Sequence, residues 1–192
     1  GQGKMECRER VRRSWPPAGL DRGEAGAYSG AMMKREECAA ERRLVAICRE
    51  KGVTVATAES CTGGLVAGRI TAVPGASAVF LGGVVSYANA VKRDVLGVPQ
   101  EVLDRVGAVS AECAEAMARG ARACLKAGVA VSVTGIAGPD GGSPQKPVGL
   151  VYLGVASAAG VRTECFRLSG DREAIRRQAV ERALELLLEA VG

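Results

Sequence analysis

The chain has 192 residues, a hydrophobic fraction of 47% and a formal net charge of +5, which together indicate one globular domain with ample material for a core. A charge this modest, with aromatic residues at 3%, argues against a nucleic-acid surface and against a stacking platform for single strands. No apolar run approaches the roughly 18 residues that a membrane span requires, and no signal peptide is recognisable. We therefore expect a cytoplasmic protein that binds neither nucleic acid nor membrane.

The chain holds seven cysteines, an odd number, and no two of them form a C-x-x-C pair. Most of them lie within apolar periodic segments. Cysteines of this kind are typically buried and reduced in a cytoplasmic protein, so we predict free thiols rather than a disulfide framework. No cluster with the spacing of metal ligands is visible, and we expect neither a metal nor a cofactor.

Residues 1–33 carry arginine-rich and glycine-rich stretches without a sustained apolar period, which indicates a disordered or loosely attached leader. The folded domain is expected over residues 34–192. Apolar periodicity and turn residues predict its elements. In chain order these are a helix at 35–51, a strand at 53–58, a helix at 62–72, a buried strand at 78–87, helices at 89–96, 100–106 and 111–127, a strand at 129–134, a hairpin of 148–156 with 161–168, and a helix at 171–190.

Strands that alternate with helices predict an α/β fold, a three-layer α/β/α sandwich, and the hairpin makes its sheet mixed, although largely parallel. In open sheets of this class, ligands bind beyond the carboxyl ends of the strands. Three polar loops follow predicted strands, at residues 57–64, 86–89 and 134–142. If those strands are parallel neighbours, we expect the three loops to share one pocket.

The first of these loops, Thr-Ala-Glu-Ser-Cys-Thr-Gly-Gly at residues 57–64, connects a strand to a helix. Such a turn presents backbone N–H groups at a helix N-terminus, where an anion is favoured, and its glycines allow close approach of a ligand. The turn is therefore a candidate phosphate site, and Ser60 is a candidate nucleophile. The alternative is a plain connection that Ser60 or Thr62 caps.

The chain contains no histidine, which excludes a Ser-His-Asp or Cys-His arrangement within one chain. If Ser60 is a nucleophile, a lysine or a carboxylate must take its proton. Lys92 suits this role because it lies one turn into a helix that follows the strand at 78–87, where partial burial lowers the pKa of a lysine. Lys146 is the second candidate, and an exposed helical position is the alternative interpretation of Lys92.

The third loop, at residues 135–142, is rich in glycine, and its successive N–H groups are a candidate anion nest. A long structural turn is the alternative. No Gly-Lys-Ser/Thr follows, so the loop is not a Walker motif.

Six motifs of this chain occur together in the order known from one family. They are Ala58–Gly64 (Ala-Glu-Ser-Cys-Thr-Gly-Gly), Tyr87-x-Asn-x-x-Lys92, Gly107-Ala-Val-Ser110, Gly135–Gly142 (Gly-Ile-Ala-Gly-Pro-Asp-Gly-Gly), Lys146-Pro-Val-Gly149 and Ser169-Gly-Asp-Arg172. With these motifs, residues 35–192 resemble the CinA C-terminal domain family, also called nicotinamide mononucleotide (NMN) deamidase, PncC.

The resemblance implies hydrolysis of the carboxamide of NMN to nicotinate mononucleotide and ammonia, in a homodimer and without a cofactor. The serine–lysine pair proposed for the family maps onto Ser60 and Lys92. Tyr87 and Asn89 are expected to orient the carboxamide or the lysine, and Arg172 is expected to bind the phosphate. The full set of expected substrate contacts is Glu59, Cys61, Thr62, Gly63, Gly64, Tyr87, Asn89, Thr134, Gly135, Gly138 and Arg172.

The chain departs from the family pattern at two positions. Many relatives carry Ser and Glu around the Tyr-x-Asn motif, where this chain has Ala88 and Ala90. If that Glu tunes the lysine, reduced activity is expected here. The domain resembling molybdopterin-binding proteins, found in longer CinA proteins, does not precede residue 34 in this sequence, so no activity tied to it is carried over.

Two competing hypotheses remain open at the level of sequence. The first is a non-catalytic module that binds a nucleotide or another phosphate compound, in keeping with the association of CinA-type proteins with competence and DNA damage. The second is Cys61 as the nucleophile, because a thiol is intrinsically the better one.

Overall fold

A computed structural model describes residues 39–192, and the leader predicted for residues 1–33 lies outside them. The described chain forms five strands, six α-helices and one short 3-10 helix, which the sequence did not predict, at Ala76–Ala78. In chain order the main elements are α1 (Ala40–Lys51), β1 (Val55–Glu59), α2 (Leu65–Thr71), β2 (Phe80–Val85), α3 (Asn89–Leu96), α4 (Gln100–Arg105), α5 (Ala111–Cys124), β3 (Val129–Gly135), β4 (Leu150–Ser157), β5 (Gly160–Arg167) and α6 (Arg172–Val191).

The five strands form one sheet in the order β2-β1-β3-β4-β5. The strands β2, β1 and β3 run parallel to one another, whereas β4 pairs antiparallel with both β3 and β5. The mixed sheet and the hairpin are confirmed, but the sheet is only half parallel. Because β1 lies between β2 and β3, the loops that follow these three strands emerge at the same edge of the sheet.

Helices cover both faces of the sheet, which confirms the three-layer α/β/α architecture. On one face, the valines of β1 and β3 and the Val and Leu residues of β4 pack against α1, α2 and α6. The other face carries small residues, such as Ala56, Ala130 and Gly154, and packs against α5. A methyl group on Gly154 would approach the Ala114 carbonyl oxygen to 2.6 Å, so α5 lies nearly on the sheet backbone.

Strand β2 differs from its prediction as a buried strand. Within the described part of the chain it pairs with one strand, β1, and its residues alternate between half-buried and exposed. Leu81 is 45% exposed and Val85 is 50% exposed. The apolar run at 78–87 predicts a buried strand, but such a run does not reveal which strand lies at the edge of a sheet, because edge position depends on long-range pairing.

The residues at two helix ends have the capping roles that their types predict. Gly52 ends α1 in the left-handed conformation, with φ of 64°, and the Ser110 hydroxyl caps α5 by accepting from the Cys113 N–H at 3.2 Å. The structure ends α5 at Cys124 rather than 127, and Lys126 has φ of 53°. In the same way α2 begins at Leu65 rather than 62, because residues 61–64 form a turn.

The prediction of buried, reduced cysteines is wrong in two places. Cys48, Cys61 and Cys113 are buried and free, as expected, but Cys124 is free and exposed. Cys165 is disulfide-bonded. Cys7 and Cys38 lie outside the described residues. Among residues 39–192, no helix combines the length and the apolar character needed to cross a bilayer.

Two helical glycines form a matched pair for testing the packing of α5. A methyl group on Gly120 would lie 1.9 Å from the carbonyl oxygen of Leu96, whereas one on Gly68 of α2 would meet no atom within 4 Å. We expect Gly120→Ala to lower the free energy of unfolding by about 2 kcal/mol or more, because α3 and α5 must separate. Gly68→Ala should raise it by up to about 1 kcal/mol through helix propensity. Urea unfolding of both variants measures this, and equal effects would contradict the packing described here.

Candidate active site

The loops after β1, β2 and β3 meet in one cleft of about 270 Å³. It is slightly smaller than the roughly 300 Å³ at which ligand pockets usually begin. The lining side chains that carry chemistry are Ser60, Cys61, Tyr87, Asn89, Lys92, Thr134, Asp140 and Arg172. Gly135 and Gly138 lie in its wall. The parallel strands thus bring together most of the residues singled out by the sequence.

Ser60 and Lys92 are in contact inside this cleft. The Nζ atom of Lys92 lies 3.1 Å from Ser60 Oγ, 2.7 Å from the carbonyl oxygen of Ser86 and 3.2 Å from that of Tyr87. A neutral amine has two hydrogens and one lone pair. When the two hydrogens are donated to the two carbonyls, the lone pair is left facing the serine hydroxyl.

Lys92 is 1% exposed, and the structure offers it no carboxylate as a hydrogen-bond partner in the described chain. Burial penalises the charged ammonium and lowers the pKa of Lys92, which the nearby Cys113 and Cys61 thiols oppose. The exposed helical position weighed as an alternative for Lys92 is therefore wrong. Ala90 is exposed and lies two positions, about 200°, away on α3, so a residue there faces away from the lysine.

Glu59 is not a cleft residue, contrary to the expectation that it contacts substrate. Its carboxylate is buried at the end of β1 and accepts the N–H groups of Gly64, Val66 and Ala67 at 2.9–3.0 Å. The chain's own anion thus occupies the N-terminus of α2. The predicted phosphate site at this helix end is wrong, because its donors are already used.

The turn at residues 61–64 reaches the cleft only through Cys61. Thr62 is fully buried, and neither Gly63 nor Gly64 lines the cleft, so the expected substrate contacts of these three residues are not supported. Both glycines have positive φ, 61° and 100°, which the tight turn requires. The turn serves to place Ser60 rather than to cradle a ligand.

Arg176 of α6 holds this turn from outside the cleft, a role that the sequence did not suggest. Its Nε donates to the Cys61 carbonyl and its Nη2 to the Thr62 carbonyl, each at 3.0 Å. The contact joins residues more than 110 positions apart. The sequence did contain one indication of this role: Arg176 lies four residues, about one helical turn, after Arg172, which lines the cleft.

Arg172 connects two of the cleft loops. Its Nη1 donates to the Gly138 carbonyl at 2.7 Å, and its Nη2 lies 3.1 Å from the Tyr87 hydroxyl. The residue remains exposed and lines the cleft. Thr134 uses its hydroxyl hydrogen on the Ala108 carbonyl at 2.7 Å, which leaves its oxygen lone pairs for a ligand. Asp140, which the sequence analysis did not single out, adds a carboxylate to the same wall.

The two remaining candidates for the chemistry fit less well. Burial raises the pKa of the Cys61 thiol to about 11, so the thiol is protonated at neutral pH and a weak nucleophile. Lys146, the second candidate base, donates from Nζ to the Val106 carbonyl at 2.5 Å and does not line the cleft. Its role is to fasten the loop after β3 to the end of α4. Residues 39–192 contain no group of three or more His, Cys, Asp or Glu side chains arranged to hold a metal ion.

Residues 37–191 match the sequence family described as CinA C-terminal domain. A CinA-like protein of Geobacter sulfurreducens is 56% identical over 139 residues, which is 72% of this chain and 34% of that protein. A putative competence-damage inducible protein of Desulforudis audaxviator is 50% identical over 147 residues, 77% of this chain and 36% of the relative. This chain thus spans about a third of the length of the curated relatives it matches.

Solved structures agree with this assignment. The competence/damage inducible protein CihA from Agrobacterium tumefaciens superposes with a TM-score of 0.77 at 47% identity, covering 79% of this chain and 93% of that one. A competence-damaged protein (CinA) superfamily protein from Escherichia coli gives a TM-score of 0.75 at 30% identity, covering 83% and 94%. By sequence and by fold, the chain belongs to the CinA C-terminal domain family.

Proposed function

We propose that this domain is an amidohydrolase that converts NMN to nicotinate mononucleotide and ammonia by a serine–lysine mechanism. The observation that carries the proposal is the contact of 3.1 Å between Ser60 Oγ and the buried Lys92 Nζ, whose hydrogens two backbone carbonyls engage. A desolvated lysine of lowered pKa is neutral in a larger fraction than an exposed one, and a neutral amine is a base.

In the acylation step Lys92 accepts the proton of the Ser60 hydroxyl while Oγ forms a bond to the carboxamide carbon. The carbonyl oxygen of the substrate becomes an oxyanion. When the tetrahedral intermediate collapses, the C–N bond breaks and Lys92 returns the proton to the departing nitrogen, which leaves as ammonia. A nicotinoyl ester on Ser60 remains.

In the second step a water molecule takes the place of ammonia. Lys92 accepts a proton from the water as its oxygen attacks the ester carbon, and it returns that proton to Ser60 Oγ when the C–O bond of the ester breaks. The products are the carboxylate of nicotinate mononucleotide and the regenerated serine. No group other than water is consumed.

The N–H of Cys61 is the proposed donor to the oxyanion. The N–H of Ser60 itself is engaged by the Val133 carbonyl at 2.9 Å, and those of Gly63 and Gly64 are bound to Ser60 and Glu59. Cys61 adjoins the nucleophile, lines the cleft, and its N–H has no acceptor besides its own thiol in the described chain. A backbone donor beside the nucleophile is the usual means of stabilising such a charge.

The phosphate of the nucleotide is assigned to Arg172 and to the loop after β3. In this loop Ala137, Gly138, Asp140 and Gly141 line the cleft, and their N–H groups have no acceptor in the described part of the chain. A guanidinium and free N–H groups together suit a phosphate. The Asp140 carboxylate opposes an anion, and we assign it to the ribose hydroxyls.

A binding module without turnover is the competing function. It is favoured by the names of the relatives, which mention competence and damage but no reaction. The same cleft would then hold a nucleotide that Ser60 does not attack.

Ammonia release from NMN distinguishes these possibilities. We expect the wild type to release ammonia, Ser60→Ala and Lys92→Met to lose activity by about 10⁴-fold or more, and Cys61→Ala to retain most of it. The three variants remove the nucleophile, the base and the neighbouring thiol in turn. Calorimetric binding of NMN by an inactive wild type would support the binding module instead. Loss of activity in Cys61→Ala with retention in Ser60→Ala would assign the nucleophile to the thiol.

The pH dependence of the same reaction tests the base. Because the neutral amine is the active form and the pKa of Lys92 is lowered, kcat/KM should rise with pH and level off below the 10.5 of an ordinary lysine. The stability of the fold should also rise with pH in this range, because Lys92 binds its proton more tightly in the unfolded chain than in the folded one. The free energy of unfolding should fall as pH drops from about 10.5 through the folded pKa, and less so in Lys92→Met. An activity profile unchanged by pH in this range would exclude Lys92 as the base.

We also propose a homodimer formed through the edge of β2 that pairs with no strand of residues 39–192. Residues 80–87 include no charged residue and no proline, the usual means by which edge strands avoid pairing. Leu81, Val85 and Tyr87 on this segment are 45–63% exposed. A second copy, related by a two-fold axis, would pair its own β2 antiparallel with this one and cover the apolar side chains of both. Because Tyr87 also lines the cleft, this edge lies next to the cleft.

Sedimentation velocity measures the predicted dimer. We expect the wild type to sediment as a dimer and Leu81→Lys or Val85→Lys as a monomer, because a buried, unpaired ammonium is costly at an interface. Val148→Lys, which changes an exposed apolar residue that precedes β4 and is not part of β2, should remain a dimer. A monomeric wild type, or a dimer unaffected by both β2 variants, would overturn this interface.

A further inference from the structure

We infer that Arg176 is a positioning residue for the serine nucleophile, an inference that rests on the proposed serine–lysine function. Arg176 does not line the cleft and so does not touch the proposed substrate. It acts through the turn that follows Ser60, whose backbone it holds at two successive carbonyls.

The geometry is that of a guanidinium fork on a backbone turn. Nε donates to the Cys61 carbonyl and Nη2 to the Thr62 carbonyl, both at 3.0 Å. The preceding carbonyl, that of Ser60, accepts the Gly63 N–H at 3.0 Å. Three consecutive carbonyls, beginning with that of Ser60, therefore have fixed partners, and Arg176 supplies two of the four donors; the Leu65 N–H also donates to the Thr62 carbonyl, at 3.2 Å.

Holding these carbonyls also fixes the N–H groups of the turn. In a trans peptide the carbonyl and the following N–H point in opposite directions, so each anchored carbonyl sets the direction of the next N–H. The Ser60 carbonyl thereby orients the Cys61 N–H, the proposed oxyanion donor. The Cys61 carbonyl, held by Arg176, fixes the other peptide plane of that residue. Arg176 thus limits how far Cys61 can rotate.

Ser60 is held on its other side by the sheet and by Glu59. The Ser60 N–H donates to the Val133 carbonyl at 2.9 Å, and Glu59 is bound to the start of α2. The turn between these two anchors contains two glycines of positive φ, and its own hydrogen bonds engage the Ser60 and Thr62 carbonyls but not that of Cys61. Among the described residues, Arg176 supplies the partner of the Cys61 carbonyl.

An arginine is required because the two contacts are simultaneous. The planar guanidinium presents N–H groups in a fixed fork, whereas a lysine ammonium donates from a single point. A lysine at position 176 keeps the charge and the long apolar stem but cannot hold both carbonyls in the same geometry. Arg176→Lys therefore tests the two-point contact of the guanidinium separately from its positive charge.

The test compares Arg176→Lys and Arg176→Ala with Arg177→Gln, a matched control on the same helix. Arg177 is exposed and pairs with Glu173 at 2.8 Å, away from the turn. In NMN deamidation we expect kcat to fall about 10- to 100-fold in both Arg176 variants, because a displacement of about 1 Å can cost this much. KM should change little, and Arg177→Gln should resemble the wild type. Free guanidinium ion at non-denaturing concentration should restore part of the kcat of Arg176→Ala.

A second readout does not depend on the substrate. The rate at which a fluorophosphonate labels Ser60 should fall in the Arg176 variants in parallel with kcat, measured by mass spectrometry below the unfolding temperature of each variant. Unchanged labelling and kcat in Arg176→Lys would overturn the inference, as would a rise in KM at constant kcat. A wild type that labels Ser60 but does not act on NMN would contradict only the proposed substrate, and the labelling rates would still decide the role of Arg176. A wild type that does neither would overturn the proposed function and this inference together.

Discussion

The structure of the cleft depends on an amine that is buried without a counter-charge. Lys92 is the largest fully buried side chain of the described residues, and its polar partners are a hydroxyl and two backbone carbonyls. A buried cation with no carboxylate beside it is unfavourable, and the way to relieve this is to release the proton. The fold therefore favours the neutral, basic form of the lysine beside the Ser60 hydroxyl, which is the form that the proposed mechanism requires. The absence of histidine from the chain is compatible with that proposal, in which the lysine is the base.

The serine is held by two charged side chains that are not in the cleft. Glu59 fastens the start of α2 from within, and Arg176 fastens the turn from α6. Glu59 accepts from three backbone N–H groups, and Arg176 donates to two backbone carbonyls. This arrangement explains why a turn with two glycines can hold Ser60, the proposed nucleophile, in one position, and why a helix end that looks free in the sequence is closed to phosphate.

Much of the fold could be predicted because it follows from local chemistry. Helix α3 was predicted with the bounds that the structure shows, and Ser110, Gly52 and the hairpin of β4 and β5 behave as their residue types suggest. The edge position of β2 could not be predicted, since a continuous apolar run is equally typical of a central strand. The disulfide at Cys165 was missed for a related reason, because spacing along the chain does not report proximity in space.

For the site, the sequence by itself determined which residues are candidates. One is a serine in a strand-to-helix turn. The other is Lys92, which could be selected from a short list of lysines because the chain has no histidine to act as a base. Local periodicity and composition are sufficient for such choices. Only the tertiary structure decided which polar groups remain available. In the folded chain the Glu59 carboxylate occupies the N-terminus of α2, and the Thr134 hydroxyl donates to the Ala108 carbonyl. Lys146 fastens a loop to the Val106 carbonyl, and Arg176 binds the turn that follows Ser60. Each of these depends on contacts between distant parts of the chain, and such contacts are set by strand pairing and by packing across the sheet rather than by neighbours in sequence.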